Sequence, residues 1–195
     1  LLDTPAEPAL DAIADLAAGL MDTPMALVSL VDESRQWFKA RRGVEATETA
    51  RDISFCGHVV GHAHEMFVND THADPRFRDN PLVTGAPHIR FYAGVPLETV
   101  DGHVLGALCT MDRVAREPTP HQLEQLRRLS RVTMATLEAR REANAARRYR
   151  RLFESTPALP VIAGRDGVPR EMAPAWVQAL GYDLDFLYNA PVTAT

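Results

Sequence analysis

The sequence predicts an α+β fold: an antiparallel sheet with helices packed on it, ending in a long C-terminal helix. Three observations carry that expectation. Short apolar runs at residues 25–31, 90–99 and 104–111 have the length and composition of strands. Asp101-Gly102 separates the last two and is a strong hairpin signal, which makes that pair antiparallel. Apolar residues spaced three and four apart mark helices at both ends of this strand-rich region.

In chain order, Leu10, Ile13, Leu16, Ala17 and Leu20 form one helical face, with Pro8 near its start and Asp22-Thr23-Pro24 as its breaker. Residues 25–31 read as a buried strand. Asp32-Glu33-Ser34 turns the chain into residues 36–40, where Trp37 and Lys39 lie on one face and Phe38 on the other, a second strand antiparallel to the first. Residues 41–52 are polar, carry Gly43 and read as a loop. Ser54 is placed to cap a short helix from Phe55 to about Gly61. Residues 66–69 form a short strand. Residues 70–85, with Pro75, Pro81 and Gly85, form a long connection holding about one helical turn, the kind of segment that serves as a binding loop or lid. Thr119 and Pro120 are N-cap and first residue of a long helix packed through Leu123, Leu126, Leu129, Val132 and Leu137. Its seam thins to Ala143, Ala146 and Tyr149, and it runs to about Phe153. Beyond Thr156 the character changes: residues 159–163 suggest a strand, Arg165-Asp166-Gly167 a turn, and 172–180 a helix with Trp176 and Leu180 on one face, ended by Gly181.

The net charge of −5 gives no footprint for nucleic acid or an anionic membrane. No apolar run approaches the roughly 20 residues that span a bilayer, and no signal peptide is recognisable. Cys56 and Cys109 are the only cysteines, so a disulfide scaffold is not expected and a reducing, cytoplasmic setting is. The chain opens on Leu1-Leu2-Asp3 without a Met and reads as a piece of something longer. Lys39 is its only lysine.

Five motifs in order resemble the GAF family over roughly residues 1–145: Leu27-Val28-Ser29-Leu30-Val31-Asp32; Arg51-Asp52-Ile53-Ser54-Phe55-Cys56; Val68-Asn69-Asp70 with Asp74-Pro75-Arg76-Phe77; Arg90 to Leu97; and Leu105 to Asp112. Residues 150–195 resemble the start of a PAS domain, through Tyr149 to Glu154, Val161 to Gly167 and Ala175 to Tyr182. The resemblance implies a GAF core at 1–118, a signalling helix at 119–153 and a truncated PAS-like part at 154–195. It implies a bacterial sensory input module of the two-component or diguanylate-cyclase type. Such a module binds an unidentified small molecule and relays the event through a homodimeric helix, 119–153, to an output domain. No output motif is present, so the chain itself is expected to be non-catalytic, with a kinase or cyclic-di-nucleotide output domain left open for the parent protein. No haem, flavin or bilin is expected: the PAS-like part stops before its cofactor pocket, and Gly57 intervenes where photosensory GAF domains place a His directly after Cys. The signature of cyclic-nucleotide-binding GAF domains is not recognisable in residues 69–90.

The residues expected to line the pocket are Phe38, Cys56, Asp70, Arg90, Tyr92 and Cys109. Cys56 and Cys109 read first as small buried hydrophobes. As thiols they leave two alternatives open, a redox sensor and a relative of free methionine-R-sulfoxide reductase, a GAF enzyme that uses pocket cysteines. Arg90 and Tyr92 share one strand face. Arg90 either binds a carboxylate or phosphate in the pocket or pairs with Asp70 or Asp74 to pin the loop. His58 and His62, four apart on a helix, could share a metal, but no HExxH or paired CxxC accompanies them, and no metal site is assigned. Asp70 and Asp74 suit turn fixing better than metal or base chemistry. A ligand-free dimerisation spacer is the third alternative.

Overall fold

The computed structural model describes residues 2–155, 160–166 and 168–181. It forms two compact units, 1–139 and 140–195. The first contains α1 (Pro8–Met21), β1 (Met25–Val31), β2 (Arg35–Arg42), β3 (Glu48–Ala50), α2 (Phe55–His62), β4 (Met66–Val68), α3 (Pro81–Thr84), β5 (Phe91–Glu98), β6 (Val104–Asp112) and the start of α4 (Pro120–Ser155). The expected α+β class is what is found: one six-stranded sheet in the order β3-β2-β1-β6-β5-β4, antiparallel throughout.

Strand alternation divides the core in two. Ala26, Val28 and Leu30 of β1, Phe91, Ala93 and Leu97 of β5 and Leu108 of β6 join Leu10, Ala14 and Ala17 of α1 and Leu126 and Leu137 of α4. The intervening residues Met25, Leu27, Tyr92, Ala107, Cys109 and Met111 face the other way, toward Phe55, Cys56 and Val59 of α2 and the 70–89 connection. The sheet is therefore covered on both faces.

Two helical faces differ from the expected ones. In α1 the buried stripe is Leu10, Ile13, Ala14, Ala17, Ala18 and Met21, while Leu16 is 56% and Leu20 38% exposed. The stripe turns toward the alanines because their small side chains let the helix axis approach the sheet. In α4, Val132 is exposed, and Ser130, Thr133 and Met134 take its place beside Leu126 and Leu137. Gln122 accepts from Thr119 N–H (2.9 Å) while Thr119 Oγ1 accepts from Gln122 N–H (3.2 Å), a reciprocal capping box that fixes where α4 begins.

Strand β2 is bulged. Val28 pairs with Ala40 and Ser29 with Phe38, so Lys39 is the extra residue. The bulge restores Ala40 to the α1 side and turns Lys39 into the gap before α1. There its fully buried side chain meets Glu7, Thr4 Oγ1 (2.6 Å) and the Pro5 carbonyl (2.8 Å). The segment expected to be a loop at 41–52 holds β3, an edge strand pairing Thr49 with Gln36. Three residues, Glu48, Thr49 and Ala50, carry too little periodicity to announce a strand.

In the second unit, the hairpin of β7 (Val161–Ala163) and β8 (Pro169–Met172) is followed by α5 (Ala175–Leu180). Met172, expected in the helix, is instead strand, paired with Val161. Trp176 Nε1 donates to the Pro160 carbonyl (3.1 Å). Gly167 and residues 156–159 and 182–195, on which part of the PAS-like expectation falls, lie outside the described residues. Among the described residues no helix is long and apolar enough to cross a membrane.

Candidate functional site

The α2 face of the sheet encloses a cavity of about 140 Å³. Its floor is Leu27, Phe38, Tyr92 and Met111 from the sheet. Its roof is Phe55 and Cys56 of α2, Val44 and Ala46 before β3, and Leu82, Ala86, Pro87 and Ile89 from the 70–89 connection. Gln36 and Thr49, neighbours across β2 and β3, complete the wall. Larger clefts exist at the surface, including one of about 870 Å³ along α4, but its walls mix the charges of Glu65, Glu98, Arg127 and Glu138.

Local hydrogen bonds hold the roof in place. Ser54 Oγ accepts from Gly57 N–H (2.8 Å), starting α2 where the sequence places it. Asn80 caps α3 by accepting from Leu82 N–H and donates its amide to the Ile53 carbonyl (2.9 Å), tying the long connection to the approach of α2. Phe55 stacks on Phe77 (4.4 Å) and Tyr92 (5.0 Å). His58 packs edge-on against Phe77 at 4.9 Å. Burial first, then Arg76 and His62, holds its imidazole below the ordinary value.

The two cysteines meet. Their Sγ atoms are 3.4 Å apart, both residues are buried, and the Tyr92 phenol donates to Cys56 Sγ at 3.2 Å. Gly94 makes this possible: the Tyr92 ring lies along the sheet over it, where a Cβ would come within 2.2 Å of the phenol oxygen. Burial pushes the Cys56 thiol up, but its polar neighbours Cys109, Ser29, Tyr92 and Gln36 together outweigh it and hold Cys56 below the usual thiol range. Its hydrogen bond to Cys56, then burial and the neighbouring charge, push Cys109 far up. Burial and both sulfurs raise Tyr92. The two thiols are close enough to titrate as one pair, and Cys56 is the member that stands in the cavity wall.

Of the six expected site residues, Phe38, Cys56 and Tyr92 line the cavity, and Cys109 lies directly behind Cys56. Asp70 and Arg90 stand elsewhere. Arg90 Nε donates to Asp70 at 2.9 Å and Nη2 reaches the other carboxylate oxygen, with each side chain about a third exposed. Strand β5 starts at Phe91, so Arg90, whose N–H still donates to the Asp112 carbonyl (2.7 Å), sits at the sheet margin, where water and the Asp70 turn are available. Asp70 and Asp74 accept from the backbone N–H groups of His72 and Arg76, which fixes their turns. Their ion pairs with Arg90 and Arg76 lower both carboxylates. Gln36 and Thr49 were missed. Gln36 shares Phe38's face by strand alternation, a usable signal. Thr49 lay in the segment read as a loop.

An antiparallel sheet covered on both faces, with a roofed cavity on one of them, defines an α+β domain with room for a small molecule. The sequence model of the GAF domain matches residues 5–137, and the chain belongs to the GAF family. It is 37% identical, over 93% of its length, to a cyclic di-GMP phosphodiesterase of Pseudomonas aeruginosa, and spans 33% of that relative. That likeness overturns the expectation of a non-catalytic assignment, because a relative alike across nearly the whole chain is named an enzyme. The fold also resembles the GAF domain of a phosphoenolpyruvate-protein phosphotransferase from Coxiella burnetii (TM-score 0.60, 14% identity, 73% of this chain and 89% of that one). It resembles as well a free methionine-R-sulfoxide reductase from Neisseria meningitidis (TM-score 0.57, 19% identity, 69% and 78%). At those identities the likeness is one of fold.

Proposed function

We propose that this chain is the sensory region of a cyclic di-GMP phosphodiesterase, and that a small molecule in the α2-side cavity controls the enzyme through α4. The curated relative supports the enzyme assignment. The cavity carries the sensory part: a compact domain that keeps about 140 Å³ empty beside buried polar groups forgoes packing that would otherwise stabilise it. The relay reading adds a parallel homodimer through 119–153, whose small-residue seam admits close helix approach, and a PAS-like domain beginning near 154, which the β7–β8 hairpin followed by α5 supports. Two free thiols in contact suit a reducing, cytoplasmic setting.

The test is cyclic di-GMP hydrolysis by the full-length protein, with and without Val44→Phe, which fills the cavity. Hydrolysis that changes at least several-fold with the variant supports the reading. A full-length protein without hydrolysis overturns the enzyme part, and an unchanged rate overturns control by the cavity. A monomeric chain in light scattering at tens of micromolar would remove the dimer.

The Sγ–Sγ contact favours a second reading, thiol redox sensing. A peroxide would take the Cys56 thiolate to a sulfenic acid, releasing one oxygen as hydroxide. Cys109 would then displace the sulfenic oxygen as water to form the disulfide, so two thiols lose two electrons and two protons while peroxide becomes two waters. Intact mass after peroxide treatment separates this reading from ligand sensing: a loss of two hydrogens that Cys109→Ser abolishes supports it, and an unchanged mass ends it.

A further inference from the structure

The walls of the α2-side cavity define the chemistry of what enters. No lining residue is charged. An ionic ligand would surrender its hydration and meet no counter-charge, at a cost of several kcal/mol per ion. That argues against cyclic dinucleotides, and against free methionine sulfoxide with its ammonium and carboxylate. The Arg90–Asp70 ion pair is already satisfied internally and lies off the cavity. Size sets a second limit. An apolar cavity of about 150 Å³ accepts a single benzene ring, and this one is about 140 Å³.

Shape and polarity set a third. Phe38, Phe55 and Tyr92 give the cavity aromatic surfaces, while Gln36 and Thr49 stand side by side on the β2–β3 wall. Gln36 is 4% exposed, and its amide can both donate and accept. Across the β2–β3 pairing, Thr49 Oγ1 is buried with no hydrogen-bond partner among the described residues. A buried hydroxyl left unmatched costs about 1–3 kcal/mol, which a ligand edge placed there would offset. The wall therefore reads as a polar edge facing aromatic surfaces.

Building on the sensory reading above, we propose that the cavity binds a neutral, single-ring molecule with one hydrogen-bonding edge, held ring-first against Phe38, Phe55 and Tyr92 and edge-first against Gln36 and Thr49. Lactams and phenols belong to this class.

The test is calorimetric or ligand-observed NMR titration of the 195-residue chain with four probes: 2-pyridone, phenol, benzene and benzoate. The expected order is 2-pyridone and phenol tighter than benzene, with benzoate not bound. Gln36→Leu should weaken 2-pyridone about ten-fold and leave benzene within two-fold, the size of one hydrogen bond. Val44→Phe should abolish binding of every ring. Benzoate binding as tightly as phenol overturns the proposal. So does the failure of all three neutral rings to bind at millimolar concentration to protein whose circular dichroism shows it folded, and so does a Gln36→Leu variant that loses benzene and 2-pyridone equally. Hydrolysis is not read in this experiment, so the ligand class can fail while the phosphodiesterase assignment stands, and the reverse.

Discussion

Gly94→Ala probes the packing that brings Tyr92 to Cys56. A Cβ at this position would lie 2.2 Å from the phenol oxygen, 2.6 Å from Cζ and 2.7 Å from Cε1 of Tyr92. Ordinary contacts lie at about 3.5–4.0 Å, so the ring must retreat by roughly 1 Å. Tyr92 is completely buried and Phe55 stacks on it at 5.0 Å, so retreat strains the core and breaks the 3.2 Å hydrogen bond to Cys56. Overpacking costs about 1–3 kcal/mol and the hydrogen bond about 1 kcal/mol. The entropy that alanine removes from the unfolded chain returns about 0.4–1 kcal/mol. The net expectation is about 2 kcal/mol, or a Tm lower by about 4–8 °C for a unit of this size. Urea unfolding followed by Trp37 fluorescence in a Trp176→Phe background reports the first unit alone. In a Tyr92→Ala background the same substitution should be nearly neutral, giving a coupling of about 2 kcal/mol. A Gly94→Ala chain within about 0.5 kcal/mol of wild type would refute the reasoning.

Glu7→Ala takes the charge partner from the fully buried Lys39 ammonium and should cost about 3 kcal/mol in urea unfolding, most of it recovered by adding Lys39→Met; a double variant no more stable than the single one would contradict this. His58 is held below its ordinary value in the folded chain, chiefly by burial. Its unfolded state therefore takes up a proton at the higher pH, so the stability that neutral His58 contributes is present above about pH 6.5 and is lost as pH falls toward the depressed value. His58→Gln should flatten the fall in Tm between neutral and mildly acid pH, and an unchanged slope would assign that fall to other groups.

The sheet was legible because its strands state their burial in their residues. Residues 25–31 and 104–111 are apolar on both faces, and both faces are covered. Asp101-Gly102 marked the tight turn, and Gly102 adopts the positive φ, +84°, that such a turn needs. Ser54 and Thr119 marked helix starts because a capping hydroxyl is a local device. Facing was harder to read. Leu16 and Val132 satisfy helical spacing as well as Ala14 and Ser130 do, and only the approach distance to the sheet decides between them. The cavity was half legible for a related reason. Phe38, Cys56 and Tyr92 follow from strand and helix faces, whereas Thr49 reaches the wall through an edge strand of only three residues. Arg90 shows the converse: alternation puts it on Tyr92's face, but alternation says nothing about where the strand ends and the Asp70 turn takes over.

If the cavity controls an output through α4, the size of the ligand limits how that control works. A ligand shifts a two-state equilibrium only by the difference in its affinity for the two states. Reversing a 1:99 population requires about 5.5 kcal/mol, while one ring with one polar edge supplies a ten-fold preference, about 1.4 kcal/mol, for each well-made hydrogen bond. The resting states must then lie within about 2 kcal/mol of each other, and single contacts between the sheet and α4 become comparable to the ligand itself. One such contact is polar and buried: Ser130 Oγ donates to the Pro96 carbonyl of β5 at 2.7 Å. Strand β5 also carries Tyr92 into the cavity wall. Ser130→Ala removes about 1 kcal/mol from whichever state keeps that bond. In the full-length protein it should change basal cyclic di-GMP hydrolysis about five-fold without ligand, while leaving 2-pyridone binding by the 195-residue chain within a few-fold of wild type. A basal rate unmoved by Ser130→Ala would mean that α4 does not share its equilibrium with β5, and the relay would have to leave the cavity by another route.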